Sequence, residues 1–324
     1  MRAIVITEFG GPEVLAWQEV DDPIPAEGEV VIEVAAAGVN RADLQQRQGF
    51  YPPPKGASEY PGLECSGRIA VLGEGVEGFG VGDEVCALVS GGAYAEKVAV
   101  DAGLVLPVPR GVSLSDAACF PEAAATVWST VFGISRLAEG EMLLVHGGAG
   151  GIGTFAIQLA TAMGAGVVTT ARGDHGAALR ELGAELVIDY RDQDFAEVIA
   201  QRTESQGVDV ILDNMGASYL DKNLATLNHN GRLMIIGMQG GRTTELDLGK
   251  LLVRRVSVSA AGLRARPLAE RTAIIAQVRE KVWPLIEGGY IRPVVARRIP
   301  LAQAADAHRM LGEGGHLGKV VLEA

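Results

Sequence analysis

One segment of this 324-residue chain constrains its fold more than any other: His146-Gly147-Gly148-Ala149-Gly150-Gly151-Ile152-Gly153. It follows a short apolar run, 142–145, and leads into an apolar stripe formed by Ile152, Phe155, Ala156, Leu159, Ala160 and Met163. That spacing predicts a helix with one buried face, stopped by Gly164 and Gly166. A strand, a glycine turn and a helix in this order gather free backbone N–H groups at a helix N-terminus, where a phosphate is held. Gly148, Gly150 and Gly153 satisfy GxGxxG: a tight turn, close backbone approach to a pyrophosphate, and close helix–strand packing. Gly151 and Ile152 lie at the same helix start and are assigned to the phosphate site with them.

The glycine segment sits inside a regular alternation. Further strand-like runs occur at 166–170, 186–190, 208–213, 232–237 and 256–260, with helix-compatible stretches between them. Six strands of this kind predict an α/β, doubly wound dinucleotide-binding fold. The first 118 residues differ: VVIEVAAAGV, SGRIAVLG, GDEVCALV and YAEKVAV are short runs split by glycine and proline, the pattern of a β-rich domain. After 261 a helix over 268–287, a strand over 294–299, a helix over 301–311 and a closing strand are expected. The tail is expected to return to the β-rich part, giving a β-rich domain of 1–122 plus 264–324 and a dinucleotide domain of 123–263.

Composition narrows the function classes. Against 28 Lys and Arg stand 40 Asp and Glu, a formal charge of −12, which argues against nucleic acid or an anionic membrane as partner. No apolar run reaches a membrane span, and the first residues lack the apolar core of a signal peptide. Cys65, Cys86 and Cys119 are far apart, so a reduced, cytoplasmic protein is expected.

Nucleotide choice is read at the end of the second strand of the alternation. An NAD site places Asp or Glu there to accept the ribose hydroxyls. Here the tip reads Thr170-Ala171-Arg172-Gly173, and Arg172 offers a partner for a 2′-phosphate, which favours NADPH; Asp174 is the opposing feature. Tyr190, at the end of the third strand, either covers the adenosine phosphate edge or is a surface tyrosine.

The chain resembles the zinc-independent quinone oxidoreductase branch of the medium-chain dehydrogenase/reductase superfamily, and within it the tumour-suppressor-inducible subgroup. The resemblance is carried by GVNRADLQQRQGFYPPPKGAS (38–58), GLECSG (62–67), GDEVCAL (82–88), PEAAATVW (121–128), HGGAGGIGTFAIQLA (146–160), VIDYRDQDF (187–195), ILDNMGASYL (211–220), GRLMIIGMQGG (231–241) and GKVVLEA (318–324). It implies a six-stranded Rossmann domain inserted in a GroES-like domain. Where zinc-dependent relatives carry metal ligands, this chain has Asn40, Leu63 and about Glu122, so no metal is expected. It also lacks the lysine that quinone reductases usually place after the second strand.

The resemblance implies that Asn40 and Tyr51 face the nicotinamide and the acceptor, Tyr51 as a donor to a developing oxyanion. It further places Thr126, Gly237, Met238, Leu263 and Lys319 against the cofactor, with core filling as the other reading for Met238 and a solvated charge for Lys319. The expected activity is NADPH-dependent reduction of a quinone or a conjugated carbonyl compound. The alternatives are an enoyl or alkenal double-bond reductase and a non-catalytic, crystallin-like NADPH-binding protein. Edge strand 256–260 is expected to pair with a second copy in a homodimer.

Overall fold

A computed structural model describes residues 1–324. The chain divides into two units, Met1–Ala125 with Leu263–Ala324, and Thr126–Gly262. No helix is long and apolar enough to cross a membrane.

The first unit is built on a seven-stranded sheet, with Arg2–Ile6 and Leu15–Glu19 forming a separate antiparallel pair. Its main path runs Val295–Pro300, Lys319–Glu323, Glu29–Gly38, Glu64–Leu72, Glu84–Leu88, Val105–Pro107, while Lys97–Asp101 joins Glu29–Gly38 off that path. The closing strand does return to this sheet: Val321 pairs antiparallel with Gly38 and Leu322 with Ala37. Ala37 in turn pairs with Cys65. Residues near 40, 64 and 319 are therefore brought to one end of the sheet, although hundreds of positions separate the last from the first. Gly38 is required there, because a β-carbon would overlap the Glu64 carboxyl and come within 2.7 Å of the Ala118 carbonyl oxygen.

The second unit is a six-stranded parallel sheet: β1 (Met142–His146), β2 (Gly166–Ala171), β3 (Leu186–Asp189), β4 (Val208–Asp213), β5 (Leu227–Ile235) and β6 (Ser257–Ala260). The order is β3-β2-β1-β4-β5-β6, that of the doubly wound dinucleotide fold. Val168, Leu144, Ile211, Leu233 and Val258 form one register row across five strands. Phe195, Ile199 and Leu224 belong to the same apolar core. A row of branched side chains buried on the face of a parallel sheet is what selects these runs as strands.

Three local expectations need correcting. The helix after the glycine turn, α1 (Gly151–Ala162), is buried from Gly153 to Ala160 on more than one side, whereas Met163, at the end of the expected stripe, is exposed. Polar residues tolerate this burial by bonding to the helix itself: Gln158 Nε2 donates to the Thr154 carbonyl at 3.0 Å and Thr154 Oγ1 to that of Gly151 at 3.3 Å. The single helix expected over 268–287 is two, Leu268–Lys281 and Trp283–Glu287, because Pro284 has no N–H to continue the ladder. The fifth strand is longer and begins earlier than 232, at Leu227.

In α1, Gly153 packs against the turn itself: an added β-carbon would lie 2.6 Å from the Gly148 Cα and overlap the Gly147 carbonyl. Both are backbone atoms and cannot swing aside. Gly153→Ala is expected to destabilise the protein by about 1–3 kcal/mol, measured as a lowered urea midpoint with unchanged m-value.

Candidate active site

In the first unit, the sheet end carries a buried polar network. Lys319 and Glu64 form an ion pair whose side chains are 5% and 0% exposed. The Lys319 ammonium also donates to Asn40 Oδ1 at 2.6 Å, while Asn40 Nδ2 donates to Glu64 Oε1 at 2.8 Å. The other Glu64 oxygen accepts the Glu122 backbone N–H at 2.9 Å. Each member thus answers another, which is the condition for burying charge without a large loss. Lys319, predicted to meet the cofactor, has its ammonium turned inward here.

Asp43 extends the network along the helix Arg41–Arg47. It is fully buried and accepts from the Asn40 N–H at 2.7 Å, the Gly62 N–H at 3.2 Å and the Tyr94 hydroxyl at 3.1 Å. His308 Nε2 lies 3.3 Å from that hydroxyl, and Arg47 Nη1 lies 3.3 Å from His308 Nδ1. Guanidinium only donates, so Nδ1 accepts, Nε2 carries the proton and Tyr94 donates to Asp43. Burial pushes the Asp43 carboxyl up to about 6, with the bond from the Asn40 N–H opposing it. Burial also lowers His308, to about 3, so its ring is neutral.

Beside the network stand Tyr51 and Arg264. The Arg264 guanidinium lies 5.3 Å from the Tyr51 ring centre and donates to the carbonyls of Ser90 at 2.7 Å and Tyr51 at 3.1 Å. It ties the 51 and 90 loops together, with Nη2 enclosed and unpartnered. The Tyr51 phenol is raised, by burial first and then by the negative charge of Glu122. Glu122 itself is raised to about 8, again by burial and then by Glu64. Of the predicted residues in this unit, Asn40 and Lys319 are brought into direct contact, and Leu263 is buried next to Arg264 in sequence. Glu64, Asp43 and Arg264 were not singled out from sequence; the acids lie in the quoted GLECSG and GVNRAD segments, but nothing in the spacing signals Arg264.

In the second unit, the glycine turn lies at the C-terminal end of β1. Its helix starts at Gly151, so the first N–H groups of α1 have no intrahelical acceptor. A β-carbon at Gly148 would overlap the Thr169 hydroxyl, while Gly150 meets nothing closer than 3.5 Å. At the neighbouring strand ends, a β-carbon at Gly147 would come within 2.6 Å of Asn214 Nδ2, and one at Gly237 within 3.0 Å of the Asn214 carbonyl. This cradle of bare backbone fits a dinucleotide diphosphate. Met238 and Tyr190 are about half exposed, and the Thr126 carbonyl accepts the Thr130 hydroxyl at 2.6 Å. Arg172 follows β2 and is held by no side-chain bond; Asp189, ending β3, accepts the Gly173 N–H at 2.8 Å.

Comparisons agree with this geometry. Residues 26–110 match the model of the alcohol dehydrogenase GroES-like domain, and 151–277 that of the zinc-binding dehydrogenase. The Mus musculus quinone oxidoreductase is 31% identical over 328 residues, covering 99% of this chain and 97% of that protein. The chain belongs to the medium-chain dehydrogenase/reductase superfamily. Among solved structures, the Escherichia coli quinone oxidoreductase complexed with NADPH superposes with a TM-score of 0.90 at 28% identity, covering 100% of each chain. The CurK enoyl reductase gives 0.89 at 29% identity, over 99% and 98%. The chain also matches a phenolphthiocerol/phthiocerol polyketide synthase of Mycobacterium tuberculosis, 31% identical over 98% of this chain, but spans only 14% of that protein's length.

Zinc, which the superfamily's family model names, does not fit the residues present. Asn40 Oδ1 is taken by an ammonium, Leu63 is an alkyl group, and Glu122 holds a proton at neutral pH. No three His, Cys, Asp or Glu side chains are grouped to hold a metal ion. Lys319 supplies positive charge at this sheet end instead.

Two outcomes follow for the network. Lys319→Met is expected to cost about 3–5 kcal/mol by leaving Glu64 buried and unpaired. Adding Glu64→Gln to it restores most of that loss, as a double-mutant cycle in urea will read. For Glu122 the folded state binds its proton more tightly than the unfolded chain, so its contribution is present below pH 4.5 and is lost as pH rises to about 8. Glu122→Gln removes this dependence, so its stability advantage over the wild type grows across that window and then levels off.

Proposed function

We propose that the chain is an NADPH-dependent quinone oxidoreductase that works without zinc. The observation that carries the reading is the glycine cradle at the start of α1, in a chain similar over nearly its whole length to a quinone oxidoreductase. Gly148, Gly150, Gly151, Ile152 and Gly153 hold the diphosphate, and Arg172 and Tyr190 lie towards the adenosine. Thr126, Gly237 and Met238 of the second unit, and Asn40, Leu263 and Lys319 of the first, are assigned to the nicotinamide end. When bound, the reduced nicotinamide supplies a hydride. The balance is NADPH plus quinone plus a proton giving NADP⁺ and hydroquinone.

Asn40 and Tyr51 are the residues assigned to the acceptor. The Asn40 amide is fixed by Glu64 and Lys319, so it presents one orientation to a bound group. The Tyr51 hydroxyl makes no bond within the chain and is the donor for an acceptor oxygen that gains negative charge. Such an acceptor delocalises charge itself, so positioning and donor placement carry the catalysis. The protein is read as a cytoplasmic homodimer paired through β6, which is the edge of its sheet.

A second reading, an enoyl or alkenal reductase, is favoured by the likeness to CurK enoyl reductase. Steady-state NADPH oxidation with a quinone series and with enals and enoyl thioesters separates the two. Turnover with 1,4-benzoquinone is expected, falling steeply in Tyr51→Phe through kcat rather than the nucleotide KM. Alkene reduction without any quinone turnover would replace the first reading with the second. Tight NADPH binding with no acceptor reduced would instead mark a non-catalytic, crystallin-like binder.

A further inference from the structure

The ends of β2 and β3 carry an arrangement that the glycine cradle does not explain. Asp189 is the last residue of β3 and pairs in register with Ala171, the last of β2. Its Oδ2 accepts the Gly173 N–H at 2.8 Å and Arg191 Nη2 at 2.8 Å. Its Oδ1 accepts the Arg191 N–H and Nε, each at 3.1 Å. Four donors therefore occupy the one carboxylate that β3 places at this strand end, and an occupied carboxylate is a poor acceptor for a ribose hydroxyl. The pairing holds this acid well below the ordinary carboxylate range.

The same bonds orient the arginine. Two nitrogens of the Arg191 fork are fixed on Asp189, while Nη1 makes no bond and the side chain is 44% exposed. Arg172 has no side-chain partner, so capturing a ligand would require ordering its whole flexible stem. A planar guanidinium already fixed on one edge loses less freedom per bond formed to phosphate oxygens. In a doubly wound sheet, the region outside these strand ends receives the adenosine ribose.

We propose that Arg191, oriented by Asp189, is the residue that recognises the 2′-phosphate distinguishing NADPH from NADH. This rests on the reading of the glycine cradle as an NADPH site. Asp189, at the end of the neighbouring strand, acts as the holder of a phosphate-binding arginine. Arg172 is secondary.

Calorimetric titration of the full-length protein with 2′,5′-ADP and with 5′-AMP tests this without turnover. The wild type is expected to prefer 2′,5′-ADP, and Arg191→Ala to weaken that ligand by about tenfold or more while leaving 5′-AMP within about twofold. Arg191→Gln, which keeps an amide donor for Asp189 but no charge, is expected to do the same and serves if the alanine variant misfolds. Arg172→Ala should change the preference less. Retained preference in both Arg191 variants overturns the assignment but leaves the NADPH reading intact. Equal loss of both ligands also overturns it, since Arg191 would then only prop the loop. No preference in the wild type overturns the NADPH reading itself.

Discussion

An ammonium enclosed by protein persists only if a carboxylate and further hydrogen-bond partners enclose it as well. Lys319, Glu64 and Asn40 meet that condition, and much of the first unit's geometry follows from it. The closing strand must pair with Glu29–Gly38 to deliver Lys319. Gly38 must lack a side chain so that the Glu64 carboxyl can nest beside it. Asn40 must start its helix, where Asp43 bonds the Asn40 N–H. Asp43 in turn fixes Gly62 and Tyr94. One buried charge pair thus registers three strands, a helix and a loop.

The second unit reaches its rigidity by the opposite means. No charge is buried at the glycine turn; side chains are absent, and backbones approach as closely as atoms allow. Gly153 touches the turn, Gly148 faces the Thr169 hydroxyl, and Gly147 and Gly237 close on Asn214. The polar groups left over are N–H donors at the start of α1, suited to an anion from outside the chain. The buried ring of His146 finds a partner for each of its nitrogens. Its ring nitrogens lie 3.0 Å from the Thr170 hydroxyl and 2.8 Å from Asn223 Oδ1, and burial lowers it to about 4.

Much of this was legible in the sequence because it depends on local periodicity. The six strands show in recurring runs of β-branched residues, and the glycine turn in a single GxGxxG. The strand order follows from the same alternation. What stayed hidden depends on contacts across long stretches of chain. Lys319 reads equally as a surface charge or a cofactor contact, and only strand pairing carries it to Glu64, 255 positions earlier. Arg264 looks like any loop arginine until its bonds to Ser90 and Tyr51 are seen. Pro284 could have warned that the helix over 268–287 breaks. The burial of α1 on several sides could not be read from its apolar stripe, because Thr154 and Gln158 conceal their polarity within the helix.

The charges around Tyr51 make a further step possible. Lys319 and Arg264 are cations, Asp43 and Glu64 are anions, and Glu122 stays protonated at neutral pH, so the group is balanced. Lys319 is engaged by Glu64 and Asn40, and the donors of Arg264 that find partners face main-chain carbonyls. Its remaining nitrogen, Nη2, is enclosed by protein. Under the proposed function, an acceptor oxygen gaining negative charge would find positive potential nearby, and the Tyr51 hydroxyl, which makes no bond within the chain, as its donor. Simple ketones concentrate the new charge on a single oxygen and need more help than one phenol gives. Quinones and conjugated carbonyls spread it over several atoms. Under the proposed function, this distribution of donors would favour acceptors that stabilise their own charge, whichever of the two proposed classes is the natural one.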